Sequence, residues 1–207
     1  MSKGGQDTKK QTKFEVLTWK QMYDALLRLA EKIVRRGFMP DVIVGVSRGG
    51  WVPARVLCDL LNVPALANVG VGFYEGLRER KSEPKLTQSI SMNVSGQKVL
   101  VVDEVADTGK SLMLVEDYIT KQGAKEVRTA TIYTKPWSII EPDYYEKETS
   151  QWIVFPWEIK ETVRLVATKS SKSKKREELG DLEDSGVSRK LTRRFLAEIL
   201  REKCRKS

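Results

Sequence analysis

Histidine is absent from all 207 residues. That absence removes the Ser-His-Asp and Cys-His nucleophilic devices and the usual zinc ligand sets, so any chemistry must run on carboxylates, amines, hydroxyls, backbone amides and a hard metal ion. Cysteine is nearly absent too: Cys58 and Cys204 are the two in the chain, too few for a disulfide framework. No stretch of about 18 apolar residues offers a membrane span, and no apolar signal segment is present. The expectation is a soluble cytoplasmic protein with reduced thiols and no membrane partner.

The net charge is +9, unevenly placed. Residues 159–207 carry 15 Lys and Arg against 8 Asp and Glu, whereas residues 1–158 carry 22 against 20. Clustered cations can be the footprint of nucleic-acid binding. The acids and the apolar stripe in the same tail argue instead for a helix docked at a subunit interface. By composition, residues 1–12 are a loose polar arm, 13–158 form the main domain, and 159–207 are a basic linker and an amphipathic helix.

Thr18 followed by Gln21 is a capping-box pattern, and Met22, Leu26, Leu29 and Ile33 recur behind it at helical spacing up to Gly37. "DVIVGV" (41–46) is a short, nearly continuous apolar run, the mark of a strand buried on both faces of a parallel sheet. Further strands are expected at 65–73, 85–92, 98–104 and 126–134, with helices from Pro53 to about Leu61 and over 111–123. This alternation predicts an α/β fold, a doubly wound and mainly parallel sheet whose ligands sit at the carboxyl ends of the strands. Residues 168–187 are polar enough to read as an exposed connection. In 188–204, Leu191, Phe195 and Ile199 make one apolar stripe, with Ser188 as the N-cap.

"VLVVDEVADTGKS" (99–111) sets Asp103 and Glu104 at the end of an apolar strand and follows them with a hydroxyl- and glycine-rich turn. A Walker A reading fails, because the position that needs the loop's first glycine is Glu104, whose charge would repel nucleotide phosphates. A helix N-terminus with the hydroxyls of Thr108 and Ser111 is instead a seat for one phosphate monoester. Carboxylates accept hydrogen bonds from a vicinal diol and can share a Mg²⁺ ion. The ligand implied is a ribose 5-phosphate, its diol at the acids and its phosphate at the turn.

This stretch resembles the phosphoribosyl pyrophosphate (PRPP) motif of the type I phosphoribosyltransferases. "VGVSRGG" resembles their pyrophosphate loop, "FYEGLRERKSEPK" occupies the place of their flexible catalytic loop, and "TKPW" with "WIVFPWE" resembles the base-binding hood (about 135–158) of the purine members. The likeness is to the xanthine-guanine and hypoxanthine, archaeal-type branch and covers about residues 14–158, leaving the C-terminal helical extension outside it.

The resemblance implies that Asp103, Glu104, Ala106, Asp107, Thr108, Gly109, Lys110 and Ser111 together bind the ribose and 5′-phosphate of PRPP. Ser47, Arg48, Gly49 and Gly50 would take the pyrophosphate, with a cis peptide at Ser47-Arg48. Asp107, Arg48 and Tyr74 would serve catalysis, Asp107 lying near N7 of the base. Lys135 would donate to O6, Trp152 would stack on the purine, and Ile153 would offer backbone groups to its edge. Asp103 and Glu104 would touch Mg²⁺ indirectly, through PRPP. The implied reaction joins a purine base to PRPP and gives a purine nucleoside 5′-monophosphate and pyrophosphate, in a homodimer serving nucleotide salvage. Lys135 and Asp107 favour a 6-oxopurine. Adenine stays open, as do a non-purine base such as orotate or uracil and a PRPP-sensing regulator that binds nucleic acid.

Overall fold

The computed structural model describes residues 14–74, 83–169 and 172–204. The expected N-terminal arm and the middle of the expected catalytic loop lie outside the described residues. So does the side chain of Tyr74. The chain groups into two compact units, residues 22–150 and residues 1–21 with 151–207.

The larger unit is built on a six-stranded sheet, in the order β4-β3-β2-β5-β6-β7. Its strands are β2 (Val42–Ser47), β3 (Leu66–Tyr74), β4 (Glu83–Gln88), β5 (Lys98–Ala106), β6 (Glu126–Thr134) and β7 (Tyr144–Glu148). Only β4 runs antiparallel to its neighbour; the other pairings are parallel. The apolar run at 42–46 is buried throughout, as its composition requires of a central strand. Alternate residues of β2 face opposite sides of the sheet. Val42, Val44 and Val46 pack with Leu112, Val115 and Ile119 of helix α3 (Lys110–Lys121), whereas a Cβ on Gly45 would meet Ala54 of α2 (Trp51–Leu60) at 3.1 Å. The two helices therefore cover opposite faces, and the sheet is doubly wound as expected. Helix α1 (Trp19–Arg35) buries the stripe read from the sequence. Its capping box forms as spaced, with the Gln21 amide donating to Thr18 Oγ1 at 3.2 Å and the Thr18 amide to Gln21 Oε1 at 2.9 Å.

The smaller unit pairs two three-residue strands in parallel, β1 (Phe14–Val16) and β8 (Trp152–Val154). Beside them lie α4 (Ile159–Lys169), α5 (Lys172–Asp184) and α6 (Arg189–Cys204). Here one expectation is corrected. Most of the stretch read as an exposed connection is helix α5, and Leu182 is fully buried. Its two leucines stand alone among charged residues, too few for a periodic signal, so the helix depends on packing rather than pattern. Part of the α6 stripe packs within the chain, while Leu191 and Leu200 stay exposed. Ile199 is buried beside Val163, Val166 and Leu182, while Lys160–Glu198 (2.6 Å) and Arg164–Glu202 (2.7 Å) ion pairs tie α4 to α6. Leu182→Ala should therefore cost about 2–5 kcal/mol in chemical denaturation. An exposed connection would lose almost nothing.

Candidate active site

Strands β2 and β5 are neighbours in parallel register, Gly45 opposite Val102. Their following turns therefore emerge at one end of the sheet. From β2 the chain passes through Ser47, Arg48, Gly49 and Gly50 into α2, and the Ser47-Arg48 peptide bond is cis. From β5 it passes through Asp107 and Thr108 to Gly109, which caps α3. The β2 connection leads to one side and the β5 connection to the other, which makes this the topological switch point of the sheet, where open α/β folds bind their ligands.

Close packing here is possible only without side chains. A Cβ on Gly49 would overlap the Glu104 carboxylate, and one on Gly50 would run into the Val102 carbonyl and stand 2.9 Å from Asp103 Cα. Gly109 has φ +80°, the left-handed region, and a Cβ there would meet Ser138 Oγ at 2.7 Å. On the other strand edge, Asn68 of β3 donates to Ser47 Oγ at 3.1 Å.

A cavity of about 750 Å³ opens at this end. Every residue from Asp103 to Leu112 lines it, so all eight residues assigned from sequence to the ribose and its phosphate share one wall. Strand β5 runs on to Ala106, so both acids lie within its last turns of pleat rather than beyond its end. Asp103 is half-buried as a residue, but its carboxyl is packed deeply enough for burial to push it up to about 7, against a smaller opposing effect from the Glu104 amide, which donates to Oδ1 at 2.8 Å. Lys110 pairs with Glu83 of β4 at 2.6 Å.

Phe73, Trp137 and Ile139 complete the wall; the sequence placed Phe73 in the expected catalytic loop and the other two in the expected hood, without an individual role for any of them. They are exposed apolar residues whose role depends on where distant turns meet. The Trp137 indole N–H donates to Asp107 Oδ1 at 3.0 Å. Lys135 is buried, with its ammonium 5.5 Å from the centre of the Trp137 ring. Trp152 and Ile153 are carried by β8 of the smaller unit, Trp152 exposed and Ile153 buried.

Among the described residues, no group of three or more Asp, Glu, Cys or His could hold a metal ion. Two adjacent carboxylates fit a hard cation that draws its remaining ligands from substrate oxygens and water, the usual mode for Mg²⁺.

The switch point brings together a carboxylate pair, the Thr108–Ser111 turn and the Gly49–Gly50 turn. The phosphoribosyl transferase domain family matches residues 14–163, and the chain belongs to that family. Xanthine-guanine phosphoribosyltransferase of Nitratidesulfovibrio vulgaris is 30% identical over 144 residues, 69% of this chain and 83% of that protein. The enzyme of the same name from Desulfotalea psychrophila is 28% identical over 144 residues, 69% of this chain and 84% of its own. A crystal structure of purine phosphoribosyltransferase from Pyrococcus horikoshii is 41% identical, with a TM-score of 0.63 over 70% of this chain and 93% of that one.

Asp103 supplies a pH test. A carboxyl whose folded value is raised from 3.8 to about 7 favours folding when protonated and opposes it when ionised. Its penalty is absent below pH 4, grows between pH 4 and 7, and is complete above 7. Asp103→Asn should therefore raise the melting temperature of the ligand-free protein at pH 8, and the gain should vanish by pH 4. A gain independent of pH would refute the burial account.

Proposed function

We propose that the protein is a purine phosphoribosyltransferase of nucleotide salvage, converting a 6-oxopurine and PRPP to the nucleoside 5′-monophosphate and pyrophosphate. The observation that carries this reading is the single cavity wall from Asp103 to Leu112, set beside the Ser47–Gly50 turn. The choice of a 6-oxopurine rests on the relatives' names, xanthine-guanine and purine phosphoribosyltransferase, together with Lys135 and Asp107.

In this reading the α3 N-terminus, Thr108 and Ser111 hold the 5′-phosphate, and the Asp103–Glu104 pair accepts hydrogen bonds from the ribose diol. Lys110 exchanges Glu83 for the phosphate. Arg48 and the amides of Gly49 and Gly50 hold the pyrophosphate as it leaves C1, so that charge developing on it meets fixed donors. A ring nitrogen of the base then bonds to C1, whose transition state has oxocarbenium character; geometry and leaving-group stabilisation supply the rate, with no histidine required. Asp103 and Glu104 would hold Mg²⁺ jointly with PRPP, and the ion would supply neutralisation of the pyrophosphate charge. Trp152 and Ile153 keep their assignment to the base on the resemblance alone, and so does the homodimer.

Adenine is the second reading. Lys135, the group assigned to O6, is buried, and the cavity wall beside it is Trp137.

Pyrophosphate release with PRPP, Mg²⁺ and adenine, hypoxanthine, guanine, xanthine, uracil or orotate tests the proposal. Release with guanine, xanthine or hypoxanthine is expected; release with adenine alone would transfer the activity to the second reading, and silence with every base would contradict both. Asp103→Asn combined with Glu104→Gln should raise the KM for PRPP at least about tenfold, the scale of losing hydrogen bonds to charged groups.

A further inference from the structure

We infer that Trp137 is the positioning residue for Asp107, and that its indole N–H determines how tightly the base is held. The inference rests on the reading of Asp107 as the acid facing N7 of a purine. A carboxylate has two oxygens and about four acceptor sites, so a donor on Oδ1 leaves Oδ2 open to a ligand while fixing the plane of the group. Trp137 supplies that donor at 3.0 Å. Asp107 is otherwise an exposed side chain in a turn, free to rotate away from the cavity.

The donor itself is held rigidly. The Lys135 amide donates to the Ala106 carbonyl at 3.1 Å, the Ser138 amide to the Lys135 carbonyl at 3.0 Å, and the Ile139 amide to the Thr108 carbonyl at 3.0 Å. These bonds pin the 135–139 turn to both sides of Asp107. The turn also packs on Gly109, where any side chain would displace it. One face of the same indole lies 5.5 Å from the Lys135 ammonium. N7 and O6 are adjacent on one edge of a 6-oxopurine, and Trp137 touches the residue assigned to each.

Trp137→Phe removes the N–H and keeps the ring, and because the side chain is 54% exposed the core is untouched. With the base that the wild type turns over, this variant should lose about tenfold in kcat/KM for the base, the effect of one hydrogen bond to a carboxylate. Its KM for PRPP and its melting temperature should stay put. In an Asp107→Ala background the same substitution should change nothing further, because the group it positions is gone. A loss below twofold, or a full loss that persists in the Asp107→Ala background, would overturn the inference. If Asp107→Ala alone leaves kcat/KM for the base unchanged, the assignment of Asp107 falls and takes the role of Trp137 with it.

Discussion

The site depends on how closely the turn after β2 can approach the end of β5. Parallel pairing brings the two strand ends level, but pairing alone would leave the turns held apart by side chains. Two consecutive glycines remove that obstacle: Gly50 nests against the Val102 carbonyl, and Gly49 lies under the Glu104 carboxylate. The Ser47–Gly50 turn and the Asp103–Glu104 pair thus meet without an intervening side chain, which in the proposed reaction sets the pyrophosphate beside the ribose. The doubly wound sheet, its helices on opposite faces and its buried valine strands position this meeting.

A site without histidine has to obtain charge stabilisation from groups whose charge is fixed or whose dipoles are backbone. In the proposed reaction it uses both, in the amides of the two turns and in Arg48 and Lys110. Its acids are handled differently. Burial pushes the Asp103 carboxyl up to about 7, and in the proposed reaction a nearby cation would favour its ionised form. Lys110, for its part, is already paired with Glu83 on β4. Phosphate binding in the proposed reaction therefore exchanges one partner for another, which links the phosphate turn to the strand that leads away from the expected catalytic loop.

The sequence was most legible where a local pattern sufficed. The buried run at 42–46, the capping box at Thr18 and Gln21 and the apolar-then-acidic course of β5 each carry their meaning within a few residues, and each has the form expected. The contiguous cavity wall was legible for the same reason. What stayed hidden depends on distant pairings. Strands β1 and β8 are three residues each and join segments 138 positions apart at Phe14 and Trp152, with no period to announce them. Helix α5 is stabilised by Leu179 and Leu182 against partners the chain supplies elsewhere. The Trp137–Asp107 bond spans 30 positions, and a tryptophan beside a proline gives no sign of which carboxylate it will meet.

The close approach at Gly49 is tested most directly by titration calorimetry of PRPP with Mg²⁺ into Gly49→Ala. A methyl there collides with the end of a flexible side chain, so the Glu104 carboxylate swings aside and the backbone keeps its course. The account predicts an unchanged melting temperature and a PRPP affinity weakened by about tenfold or more. A variant that binds PRPP as tightly as the parent would contradict the claim that this meeting of turns makes the site.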